Sequence, residues 1–128
     1  MPHILLIEDD DQLRPVLARM LRLDGYEVTE AAGGASGLAA WREGGADVVM
    51  TDLHLGDMDG IDVLLQLRVQ APALPIVVMS GSAVAADTIR LQEAELLANV
   101  KVLEKPFSLN TLTTVVRSAL ATPEQKRA

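Results

Sequence analysis

Residues 3–11 read His-Ile-Leu-Leu-Ile-Glu-Asp-Asp-Asp, an aliphatic run that ends abruptly in four acids. Successive side chains of a strand point to opposite faces, so a run apolar at every position asks for cover on both. The acids then fall where the strand leaves the core. Four further short runs follow: Tyr26–Ala31 (YEVTEA), Asp47–Thr51 (DVVMT), Pro75–Met79 (PIVVM) and Val100–Leu103 (VKVL). Most of these runs are β-branched or aliphatic, as parallel strands buried on both faces are.

Helical patterns separate the runs. Leu13, Val16, Leu17, Met20 and Leu21 recur at i, i+3, i+4, i+7 and i+8, one apolar stripe that stops at Asp24-Gly25. Pro15 must lie in the first turn of that helix, where its missing N–H costs least. A second helix spans about Ala35 to Arg42 and ends at Gly44-Gly45. A third runs from Ile61 to Gln70 through the Asp59-Gly60 turn, and a fourth covers Val84 to Ala98. The last begins after Ser108, a suitable N-cap, and carries Leu109, Leu112, Val115, Val116 and Leu120. Five strand–helix alternations predict an α/β fold of the flavodoxin-like, doubly wound (βα)5 type. Its five-stranded parallel sheet has helices on both faces and the common strand order 2-1-3-4-5.

Bulk composition narrows the function. The 128 residues suit one domain, and with 49% hydrophobic residues a packed core is expected. Trp41, Tyr26 and Phe107 are the only aromatics, so aliphatic side chains must build that core. The absence of cysteine excludes disulfides, thiolate metal sites and a cysteine nucleophile, and fits a reducing, cytoplasmic setting. A net charge of −7 repels phosphate backbones, so direct nucleic-acid binding is not expected. No stretch reads as a signal peptide, and no apolar run approaches the roughly 20 residues of a membrane span.

In open parallel sheets ligands bind beyond the carboxyl ends of the strands. Glu8, Asp9, Asp10 and Asp11 follow the first run, Asp52 the third and Glu104-Lys105-Pro106 the fifth, while the fourth strand ends at Ser80 with Gly81 next. In the expected strand order Glu8, Asp9 and Asp52 converge in one crevice. Three carboxylates that close cannot all ionise unaided, and a hard divalent cation with open positions, Mg²⁺ before Ca²⁺, relieves the conflict. Lys105 offers a point positive charge and Ser80 a hydroxyl donor to phosphoryl oxygens. A carboxylate nucleophile beside a metal can take up a phosphoryl group, and Asp52 stands in that place.

These residues carry a resemblance. Ile7-Glu8-Asp9-Asp10, Thr51-Asp52-Leu53, Met58-Asp59-Gly60, Ser80-Gly81 and Lys105-Pro106-Phe107 resemble the response-regulator receiver domain of two-component signalling, of the chemotaxis-regulator kind. The resemblance covers residues 3–121, so residues 1–121 are expected to form the receiver and 122–128 a polar C-terminal tail. It implies phosphorylation of Asp52 by a sensor histidine kinase or histidine phosphotransfer protein. It also implies direct Mg²⁺ ligation by Asp9 and Asp52, with Glu8 acting through water and the His54 backbone carbonyl completing the set. Ser80 and Lys105 would hold the phosphoryl group and couple it to a rearrangement of the fourth-strand region, the output being an unknown downstream protein target. Such a domain is not an enzyme on external substrates, and catalyses only its own phosphorylation and dephosphorylation.

Plainer roles stand beside these. Asp10 and Asp11 read as helix caps, Asp57 and Asp59 less as a second metal pair than as flanking the Asp59-Gly60 turn, and Trp41 as packing. Where the family usually has an aromatic three residues before the lysine, this chain has Val102, so a swinging aromatic cannot report phosphorylation. Gly56 replaces a frequent proline, and the Val84–Ala98 stretch departs from the family pattern, so no dimer is predicted. The competing functions are a Mg²⁺-dependent phosphatase or nuclease using the acidic cluster, and a degenerate receiver serving as a scaffold. His54 stands where a dehalogenase-type phosphatase keeps its second acid.

Overall fold

The apolar runs form five strands, and the periodic stretches form helices around them. The computed structural model describes residues 1–81, 92–94, 97 and 99–121. In chain order they give β1 (His3–Ile7), α1 (Leu13–Leu23), β2 (Glu27–Ala31), α2 (Gly34–Gly44), β3 (Val48–Asp52) and α3 (Gly60–Gln70). Then follow β4 (Ile76–Ser80), β5 (Val100–Glu104) and a helix, here α4, over Leu109–Leu120. The helix expected over Val84–Ala98 lies largely outside the described residues, of which 92–94 are helical. The expected tail, 122–128, lies outside them entirely.

All strand pairs are parallel, in the order β2-β1-β3-β4-β5, the predicted flavodoxin-like topology. Strand pleating sorts the aliphatic residues into two cores. Ile4, Leu6, Val48, Met50, Val77 and Met79 face one side, covered by Leu17, Leu21, Leu112 and Val116 of α1 and α4. Leu5, Ile7, Val49, Ile76 and Val78 face the other, covered by Leu38, Val63, Leu64 and Leu67 of α2 and α3. Trp41 packs against this second core, as expected.

One helical expectation shifts. Val16 belongs to the apolar stripe of α1 but is 54% exposed, whereas Ala18, outside the stripe, is fully buried. The small Ala18 lets α1 lie close to the sheet, which rotates Val16 to the rim. Pro15 does occupy the first turn.

Register positions the functional residues. Ile7 lies opposite Thr51, so Glu8 and Asp52 emerge side by side from adjacent strands. Asp52 lies opposite Met79, and Ser80 opposite Glu104, which brings Lys105 to the same edge. Asp52 is the last residue of β3 rather than the first of the loop, because the ladder runs one residue further than its polarity suggests, and Ser80 ends β4 as expected. The Lys105–Pro106 peptide is cis.

Gly60 closes the loop after β3. Its N–H donates to the Leu53 carbonyl at 2.8 Å. A Cβ there would collide with the Asp52 carbonyl oxygen and the Leu53 backbone, neither of which is a flexible side-chain end. Gly60→Ala is therefore expected to destabilise the fold by about 1–3 kcal/mol, measured as a lower urea midpoint with an unchanged m-value.

Candidate functional site

The site occupies the carboxyl edge of β1, β3 and β5. Glu8 is fully buried, Asp52 is 8% exposed, and Asp9 stands at the solvent side of the pair. One carboxylate oxygen from each of the three lies within 4.8 Å of the others. Lys105 Nζ reaches into this group, donating to Glu8 Oε1 at 2.6 Å and to Asp52 Oδ2 at 2.8 Å. Its ammonium thus bridges strands whose residues are 97 and 53 positions away in the chain.

The remaining oxygen of Asp52, Oδ1, accepts the His54 N–H at 3.2 Å. The His54 side chain is exposed. Ser80 is 4% exposed at the end of β4, and its carbonyl accepts the Lys105 N–H at 2.7 Å. This bond fixes the β5 exit from which the lysine side chain extends. Val102, at the position of the expected aromatic, is half-buried on β5.

Electrostatics follow from burial. Glu8 is pushed up to about 7 by burial, with the neighbouring Asp52 adding to the rise and Lys105 opposing it. Burial alone would lower Lys105, but its hydrogen bonds to Asp52 and Glu8 prevail and leave it raised. All donors in the acidic cluster are oxygens, the chemistry that hard divalent cations prefer. Glu8, Asp9 and Asp52 can therefore hold a metal ion.

The other acids of this edge do different work. Asp10 Oδ1 accepts from the Gln12 and Leu13 amides at 2.9 and 3.1 Å, the capping role expected of it. Those amides also hold its pKa down. Asp11 instead pairs with Arg14 Nη2 at 2.7 Å. Asp59 caps α3, its Oδ1 accepting from the Ile61 amide at 2.9 Å.

Two contacts escaped the sequence. Arg14 Nη1 donates to the Glu8 carbonyl at 2.8 Å, anchoring the β1 exit. Asp57 spans the amides of Gly34 and Ala35 at the start of α2, at 2.8 and 3.0 Å. The Gly33-Gly34 turn offers no side chain, but its backbone supplies donors. Only an arginine or a carboxylate within reach could have hinted at either contact.

Comparison with known proteins places this geometry. Residues 4–117 match the response regulator receiver domain family, and the chain belongs to it. The chain is 36% identical over 124 residues to the DNA-binding transcriptional regulator NtrC of Bradyrhizobium sp. (strain RP501 Parasponia), covering 96% of this chain and 25% of NtrC. It is 35% identical over 120 residues to the sensory transduction protein RegX3 of Mycolicibacterium smegmatis, covering 94% of this chain and 51% of that one. The chain thus spans a quarter of the first relative and about half of the second. The chemotaxis protein CheY4 of Vibrio cholerae superposes with a TM-score of 0.83 at 26% identity, over 93% of this chain and 98% of CheY4. The domain is a phosphorylation-controlled signalling module of the two-component type, and the phosphatase, nuclease and scaffold alternatives are not favoured. Receiver domains of response regulators interact with histidine kinases. Among the described residues, no helix is long and apolar enough to cross a membrane.

The Glu8 environment sets a pH dependence in metal-free protein. Its folded pKa of about 7 exceeds the ordinary 4.5, so between these values the folded state retains a proton that the unfolded chain releases. Stability from this group is fully present below 4.5 and is lost as pH rises through about 7. The loss is expected to be on the order of 2–3 kcal/mol. Denaturant unfolding in EDTA from pH 4.5 to 8 should show it, and Glu8→Gln should flatten the profile.

Proposed function

We propose that Asp52 accepts a phosphoryl group from a phosphohistidine, on a sensor histidine kinase or a histidine phosphotransfer protein, in a Mg²⁺-dependent reaction. The observation that carries this reading is the Lys105 ammonium held at 2.8 Å on Asp52 Oδ2 and 2.6 Å on Glu8 Oε1. A cation fixed on a nearly buried carboxylate, at the mouth of an acidic cluster, suits a group that acquires further negative charge. An Asp52 carboxylate oxygen attacks phosphorus, the new O–P bond forms as the P–N bond breaks, and the electron pair returns to the imidazole nitrogen.

Asp9 and Asp52 are the proposed direct metal ligands, Glu8 acts through water, and the His54 backbone carbonyl supplies a further oxygen. Bound Mg²⁺ would supply Lewis-acid neutralisation of phosphoryl charge. Lys105 neutralises a second phosphoryl oxygen, and the Ser80 hydroxyl donates to another. The His54 N–H, already on Asp52 Oδ1, orients the carboxylate. The same groups would accelerate hydrolysis of the acyl phosphate, so the domain catalyses its own phosphorylation and dephosphorylation and no external reaction.

Residues 1–121 form the receiver in this reading, acting in the cytoplasm. Its output is docking to a protein target of unknown identity, without direct nucleic-acid contact, membrane insertion or a required dimer. The −7 charge supports the exclusion of nucleic acid.

Incubation with acetyl phosphate and Mg²⁺ should add one phosphoryl group by intact-mass measurement. Asp52→Asn should abolish it, and Lys105→Ala should slow it by about 10²-fold. An unchanged mass of the wild-type protein, or steady turnover of an external phosphomonoester, would overturn this function.

A further inference from the structure

The loop from Leu53 to Asp59 forms one wall of the site. Its two ends are closed on themselves: the Gly60 N–H bonds the Leu53 carbonyl at 2.8 Å, and His54 bridges to Asp59. Its tip is held differently. Asp57 Oδ1 accepts from the Gly34 amide at 2.8 Å and Oδ2 from the Ala35 amide at 3.0 Å, across 23 and 22 residues of chain. Met58 lies directly over Gly34, where any Cβ would collide with its side chain. The same tip passes beside the acidic cluster, since a Cβ at Gly56 would stand 3.7 Å from Asp9 Oδ2.

The receiving end of α2 is built for a carboxylate from outside. Its N-cap is Gly33, which has no side chain, and its first turn contains no acid. The first amides of a helix lack intrahelical partners and carry the positive end of its dipole. Asp57 satisfies two of them at once, and those amides hold its pKa below the ordinary carboxylate value. Asp57 is nevertheless exposed and is not one of the three carboxylates of the acidic cluster.

We propose that Asp57 is a positioning residue for the phosphorylation site, clamping the 53–59 loop tip to the start of α2 so that the His54 backbone and Gly56 stay in register with Asp52 and Asp9. It rests on the reading of Asp52 as the acceptor. With glycine at 56 the loop has little stiffness of its own, so the clamp supplies the constraint from the neighbouring helix. Outer contacts that orient metal ligands typically change metal affinity by about 10- to 100-fold when removed.

The test titrates Mg²⁺ into the intact wild-type chain, Asp57→Ala and Asp57→Asn by calorimetry, alongside acetyl phosphate labelling and thermal unfolding. Asp57→Ala should weaken Mg²⁺ binding by about 10-fold and slow labelling while the unfolding midpoint changes little. Asp57→Asn, which retains one oxygen acceptor, should recover part of the affinity. Mg²⁺ binding by Asp57→Ala within about twofold of wild type would overturn the proposal. So would an affinity loss that tracks a lowered unfolding midpoint and is not recovered by asparagine, for Asp57 would then serve only to cap α2. If Asp57→Ala fails to fold, the asparagine variant decides between the same outcomes. Failure of wild-type labelling would count against Asp52 as acceptor, whereas the Mg²⁺ titrations still judge Asp57.

Discussion

The ammonium of Lys105 lies between two carboxylates that the sheet removes from water, Glu8 and Asp52. Two unit charges 4 Å apart repel by about 4 kcal/mol at an effective dielectric of 20. Something must offset that repulsion, or one acid must keep its proton. Both happen here, since Lys105 bonds the pair while burial still pushes Glu8 up to about 7. The arrangement requires the ends of β1, β3 and β5 at one edge, which the β2-β1-β3-β4-β5 order provides. Topology and charge balance are thus a single constraint. A different strand order would leave buried acids without their cation.

This explains why so much was legible in the sequence. Aliphatic residues on both faces of HILLI and PIVVM announce buried parallel strands, and the polar residue ending each run announces the edge. Glu8, Asp9, Asp52 and Lys105 group from the sequence because register in a parallel sheet carries strand ends to a common level. The strand limit slips by one residue at Asp52, since ladder hydrogen bonds do not depend on side-chain polarity, whereas Ser80 ends its strand as expected. Val16 was misplaced because periodicity gives an apolar stripe its width but not its centre, and the small Ala18 set the centre.

What could not be read were contacts made by backbone atoms. Arg14 on the Glu8 carbonyl and Asp57 on the Gly34 and Ala35 amides join residues through groups that every residue possesses. A sequence marks a carboxylate but not the amide it will find. Gly33-Gly34 was informative only in hindsight, as a place where the loop can approach a helix start that lacks a cap of its own.

The acids of this edge then divide by what satisfies them. Asp10, Asp57 and Asp59 accept backbone amides at helix starts, and Asp11 is paired with Arg14. A carboxylate engaged by amides is directed along the donors, so it has little freedom to turn toward a metal. Glu8, Asp9 and Asp52 remain, and these three alone bring oxygens within 4.8 Å of one another among the described residues. The acidic cluster is therefore defined as much by the acids removed from it as by the acids in it. Asp57 belongs to the first group by its bonds and to the second by its consequence, because the loop it anchors is the one that carries His54 to Asp52.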